Sequence, residues 1–109
     1  MKKNIKILST NFDISLGNVS ENLASIKDII KKADKCGVNI LSLPELCLTG
    51  ASLYDLYKED VLIERVKEAI IDLKAFSKDY DLLISLGAPL RENGKLYNTI
   101  LFIKKGELI

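Results

Sequence analysis

The 109-residue sequence predicts an α/β fold with elements in the order β-α-β-α-β-β. Three observations carry that prediction. Short runs rich in Ile, Leu and Val alternate with two longer stretches whose apolar residues recur at three and four positions, the period of a half-buried helix. Asn93-Gly94 lies between the last two apolar runs, and this pair favours a two-residue hairpin turn. Pro44 directly follows the second run, where its missing N–H and fixed φ end a strand.

Residues 5–9 read as a short β-branched strand, and residues 11–17 as the polar loop after it. Asn18 and Glu21 have the spacing of a capping box, and Leu23, Ile26, Ile29, Ile30 and Ala33 then form one apolar stripe. Cys36-Gly37 closes this helix, with Gly37 suited to the left-handed position just past its end and Cys36 expected as a small core residue. Residues 38–43 form the second strand. Residues 46–58 show no period and hold Gly50, Ser52, Tyr54 and Tyr57, which predicts a structured loop over a site. Val66, Ala69, Ile70, Leu73 and Phe76 mark the buried stripe of a second helix, with Glu64, Lys67, Glu68 and Lys74 off it. Residues 82–88 are apolar on both faces apart from Ser85, so this strand is expected at the centre of the sheet. Residues 92–95 turn the chain, and residues 96–103 pair back antiparallel. After a further turn at residues 104–107, Leu108-Ile109 reads as the opening of a fifth strand, so the chain is expected to be truncated at its C-terminal end.

Composition narrows the function. A chain of this length is one domain at most and can bury roughly two thirds of its unfolded surface. Hydrophobic residues make up 48% and charged residues 28%, a globular balance. Sixteen Lys and Arg are interspersed with fifteen Asp and Glu, for a net charge of +1, so neither a nucleic-acid backbone nor an anionic membrane is an expected partner. No segment approaches the roughly 20 apolar residues of a membrane span, and Met1-Lys2-Lys3 is not followed by a signal-like apolar run. Cys36 and Cys47 do not form a disulfide or zinc pattern, and a reducing cytoplasm fits them. There is no histidine, which excludes Ser-His and Cys-His couples within these residues. Catalysis here must draw on carboxylate, lysine, tyrosine or thiol chemistry.

The main candidate is Glu45. It stands one residue past Pro44, beyond the carboxyl end of the second strand, which is the edge where α/β sheets bind ligands. A carboxylate held there suits a general base, provided a nucleophile and an oxyanion stabiliser are near it. Cys47 lies two residues on, but nothing local lowers its thiol pKa, and packing is its simpler use. Tyr54, Asp55 and Tyr57 are lid residues or pocket lining, and Asn98 is an amide in an apolar run that needs partners if buried. The pairs Lys31-Lys32 and Lys104-Lys105 read as solvated faces.

The run Pro44-Glu45-Leu46-Cys47-Leu48-Thr49-Gly50 resembles the nitrilase superfamily of carbon-nitrogen hydrolases. Asp55-Leu56-Tyr57, Gly87-Ala88-Pro89-Leu90, Asn93-Gly94-Lys95-Leu96-Tyr97-Asn98 and Lys105-Gly106-Glu107 follow in order, and the set is most similar to the glutaminase domains of the glutamine-dependent NAD synthetase subgroup. Ala51 departs from the pattern, which often has an aromatic residue after Thr-Gly.

The resemblance implies an α-β-β-α sandwich, of which residues 1–109 would be the N-terminal part of the hydrolase domain, supplying part of one sheet and one helical layer. It also implies Glu, Lys and Cys chemistry. The glutamate takes the thiol proton, the thiolate attacks the amide carbon of glutamine, and lysine stabilises the charge that develops. Ammonia leaves a thioester, which water activated by the same glutamate hydrolyses. Only the glutamate maps onto this chain, at Glu45; the lysine and cysteine of the pattern fall beyond Ile109, so neither Lys105 nor Cys47 holds a catalytic position. The ammonia would serve an ATP- and magnesium-dependent amidation of nicotinic acid adenine dinucleotide elsewhere in a homo-oligomeric parent, and the 109-residue chain alone would be inactive. The alternatives are another amidohydrolase of this superfamily, acting on a free small amide, and a non-catalytic assembly module.

Overall fold

The computed structural model describes residues 5–10, 14, 18–44, 48 and 60–109. Among the described residues seven elements follow one another: β1 (Ile7–Ser9), α1 (Val19–Lys35), β2 (Ile40–Ser42), α2 (Asp60–Ser77), β3 (Leu83–Glu92), β4 (Lys95–Lys104) and β5 (Glu107–Leu108). They build one sheet in the order β1-β2-β3-β4-β5. The first three strands are parallel, and the last three run as an antiparallel meander. Each parallel step is made through a helix, as a parallel pair requires. The expected order is therefore present, and the expected opening of a fifth strand falls at Glu107–Leu108.

Each helix forms where its sequence calls for one. Asn18 caps α1: its Oδ1 accepts from the Glu21 N–H at 3.0 Å, and its Nδ2 donates to Glu21 Oε2 at 3.0 Å. This is the expected pair, except that the glutamate returns to the cap side chain. Val19, Asn22, Ile26, Ile30 and Ala33 form the buried face. At the other end Gly37 has φ +74°, as its position past the cap demands. Cys36 is a correction: it is exposed rather than part of the core, because the chain leaves the helical path there and the stripe ends at Ala33. In α2, Ile63, Val66, Ala69, Ile70 and Leu73 are buried. The two helices are joined on their outer side by the Lys27 to Asp72 ion pair at 2.8 Å, which is partly exposed and contributes less than about 1 kcal/mol.

The core lies between the helices and one face of the sheet. Leu41, Ile84 and Ile103 are neighbours across three strands and are fully buried there. The hairpin between β3 and β4 turns on Asn93 (φ 52°) and Gly94 (φ +77°), the double positive φ of a type I′ turn, whose twist matches the strands it joins. β3 lies at the centre of the sheet, as its two apolar faces foretold.

Candidate active site

Parallel strands place their carboxyl ends on one edge, and the backbone pairing carries slightly past the strands themselves. Thr10 N–H donates to the Ser42 carbonyl at 3.3 Å, and Leu43 N–H donates to the Ser85 carbonyl at 2.8 Å. Leu43 is the last residue of this run that can join the ladder, since Pro44 has no N–H to give. The backbone donors of this run thus end at Leu43, one residue past β2 and next to the proline.

Leu43 is buried and Pro44 half-buried. On the far side of the motif, Leu48 is fully buried, and its carbonyl accepts a hydrogen bond from the Asn22 side-chain amide of α1 at 2.8 Å. Four residues, 44–47, lie between these two anchored positions. Glu45, the expected general base, is among them and lies outside the described residues, as do Cys47, Tyr54, Asp55 and Tyr57. The structure therefore defines the frame on each side of Glu45: a backbone bond to the central strand before it and a side-chain bond to the first helix after it.

Other candidates fall elsewhere. Tyr97 and Asn98 are in β4, in register with Leu90 and Pro89, and Tyr97 is exposed. Lys31, Lys32, Lys104 and Lys105 are exposed, as solvated faces should be. A hollow of about 230 Å³ opens between the helices, lined by Val19, Ser20, Leu23, Arg65, Glu68, Ala69 and Asp72. It belongs to the helical layer and is smaller than the roughly 300 Å³ at which ligand pockets begin. Among the described residues no group of three or more His, Cys, Asp or Glu is placed to hold a metal ion, and no helix is long and apolar enough to cross a membrane.

Asn22 escapes the sequence reading. A signal was present: it stands three residues after Val19 and four before Ile26, in phase with the buried face, where an amide is out of place unless something answers it.

A strand that ends at a proline, a glutamate next in sequence and a buried Leu48 bonded to the first helix suit a hydrolase of the carbon-nitrogen class, and the carbon-nitrogen hydrolase family model matches residues 9–109. The chain belongs to the carbon-nitrogen hydrolase family. The glutamine-dependent NAD(+) synthetase of Mycobacterium leprae is 30% identical over 105 residues, covering 96% of this chain and 15% of that protein. The 2-oxoglutaramate amidase of Bacillus subtilis is 38% identical over 101 residues, covering 90% of this chain and 38% of the amidase. Among solved structures, a glutamine-dependent NAD(+) synthetase from Cytophaga hutchinsonii superposes with a TM-score of 0.85 at 32% identity, over 95% of this chain and 18% of the other. The chain thus spans well under half the length of these relatives, and its sheet with two helices is part of a nitrilase-type domain.

Proposed function

We propose that residues 1–109 are the N-terminal part of the glutamine-hydrolysing domain of an NAD synthetase, in which Glu45 is the general base. The observation that carries this reading is similarity along nearly the whole chain, in sequence and in fold, to glutamine-dependent NAD(+) synthetases. The site's frame supports it, because a base that must deliver and retrieve a proton needs a fixed backbone on both sides.

In this reading the Glu45 carboxylate takes the proton of a cysteine thiol supplied by the chain beyond Ile109. The thiolate attacks the side-chain amide of glutamine, and a lysine from the same later region stabilises the oxyanion. The proton goes to the departing ammonia, leaving a thioester. Glu45 then takes a proton from water, whose attack releases glutamate and restores the thiol. ATP and magnesium belong to the synthetase domain of the parent, a cytoplasmic homo-oligomer, and this chain takes no part in holding them.

The test compares two proteins. The 109-residue chain releases no ammonia from glutamine above blank, whereas the full-length parent does so and loses it in Glu45→Gln by at least about 10²-fold, the lower range for removing an acid-base group. Turnover by the short chain, or a Glu45→Gln parent that keeps its rate, defeats the proposal.

A second reading has an observation of its own. Identity to the 2-oxoglutaramate amidase, 38%, exceeds the 30% to the mycobacterial synthetase. On that reading the parent hydrolyses a small free amide and feeds no ligase. Ammonia release from 2-oxoglutaramate in preference to glutamine, with no ATP-dependent amidation, would favour it; neither activity would leave the assembly-module alternative.

A further inference from the structure

We infer that Asn22 is the positioning residue for Glu45, its side-chain amide clamping the Leu48 carbonyl and thereby fixing the far end of the segment that carries the carboxylate. The inference rests on the reading of Glu45 as general base and deepens it. Asn22 sits on the buried face of α1 among Val19, Ile26 and Ile30, and none of its surface is exposed. Packing alone would be served better by leucine, since a buried amide is costly unless its hydrogen bonds are made. Here the Nδ2 donates at 2.8 Å to a backbone carbonyl 26 residues away in sequence.

The geometry shows what that bond constrains. Leu43, two residues before Glu45, is buried and bonded through its N–H to Ser85 of β3 at 2.8 Å. Leu48, three residues after Glu45, is buried and bonded through its carbonyl to Asn22. The first clamp is part of the sheet and depends on no particular side chain. The second depends on one side chain alone among the bonds described for Leu48. Both clamps lie on residues that flank Glu45 in sequence, and reacting groups must be held closely, because a misplacement of about 1 Å can cost roughly 10²-fold in rate.

Asn22→Leu removes the donor and nearly keeps the volume. Hydrogen–deuterium exchange of the 109-residue chain is expected to accelerate at residues 44–50 by about tenfold or more, because the buried Leu48 carbonyl loses its Asn22 donor, while residues 26–35 of α1 and the strands keep their protection. Uniform acceleration, or none at residues 44–50, overturns the clamp. Should Asn22→Leu fail to fold, the wild-type chain decides: the Asn22 side-chain amide protons exchange slowly if clamped, and exchange at the rate of a solvated asparagine overturns the inference. In the full-length parent, Asn22→Leu lowers kcat for glutamine hydrolysis roughly tenfold or more with KM within about twofold, the split for a group acting through the base rather than on bound substrate. Glu45→Gln separates the two ideas. If it leaves kcat unchanged, the general-base reading fails and Asn22 is no positioning residue for it, whatever the exchange shows. If it abolishes kcat while Asn22→Leu alters neither kcat nor exchange at residues 44–50, the clamp fails and the base stands.

Discussion

Gly106 occupies the turn between β4 and β5 at φ +86°, and a Cβ built there would come within 2.6 Å of Lys78 Cγ and 3.0 Å of its Cε. Its N–H donates to Ser77 Oγ at 2.8 Å, and Ser77 in turn donates to the Lys74 carbonyl at 2.7 Å, so a buried serine at the end of α2 holds the turn in place. Gly106→Ala is expected to destabilise by about 1–2 kcal/mol for the left-handed backbone, and further by the displacement of the Lys78 stem. Gly94→Ala, where nothing lies within 4 Å, carries only the first part. A denaturant-melt cycle with Lys78→Ala checks this: that background should return the excess at Gly106, and an excess that persists would place the strain elsewhere. The turn at Gly106 was legible in the sequence, because Lys-Gly-Glu between apolar runs has the chemistry of a turn. Ser77 was not, and neither was Asn22. Each earns its buried place from a partner 29 or 26 residues away, which no local pattern encodes.

At the scale of elements, α1 begins at a single side chain. Asn18 satisfies the Glu21 N–H, one of the donors a helix start leaves open. Asn18→Ala is expected to lower stability by ~1 kcal/mol and Asn18→Gly by only a few tenths, because glycine lets the backbone and water answer the same donor. Equal losses in thermal melts would show that the cap bond contributes nothing. Helix stripes and caps were readable because their signals are local. Strand lengths were less so. Expected at residues 5–9 and 38–43, β1 and β2 are strands only over Ile7–Ser9 and Ile40–Ser42, although single backbone bonds such as Thr10 N–H to the Ser42 carbonyl carry the pairing slightly past them. β3 runs on to Glu92, past the expected end at residue 88, because the hairpin zips down to its own turn. Pro89 is tolerated there because it lies beyond Ser85, the last residue of β3 paired with β2.

Across the whole molecule, the sheet has one covered and one open face. Leu41, Ile84 and Ile103 point to the helices and are fully buried. The alternate residues point the other way, and Ile7, Ile100 and Phe102 there are 65%, 68% and 43% exposed. They share that face with Ile40 and Leu83, both half-buried, and with Ser9, Ser42 and Ser85 side by side across the parallel strands. The apolar character of both faces was legible in residues 82–88, but which face the helices would take was not, since that choice depends on the phase of two helices against three strands. An apolar face left to water drives association. The 109-residue chain is therefore expected to self-associate as its concentration rises, read by sedimentation velocity, and to bind a hydrophobic dye. Replacing Ile100 with Thr and Phe102 with Ser should weaken both effects without lowering the melting temperature of the monomer, because neither side chain belongs to the buried core. A substitution of Ile84, which the helices cover, should do the reverse, costing stability by about 2–5 kcal/mol as Ala. If the double substitution left association unchanged, the contact would have to run through the sheet's edge strands instead, where β5 exposes Leu108 beside the short turn at Gly106.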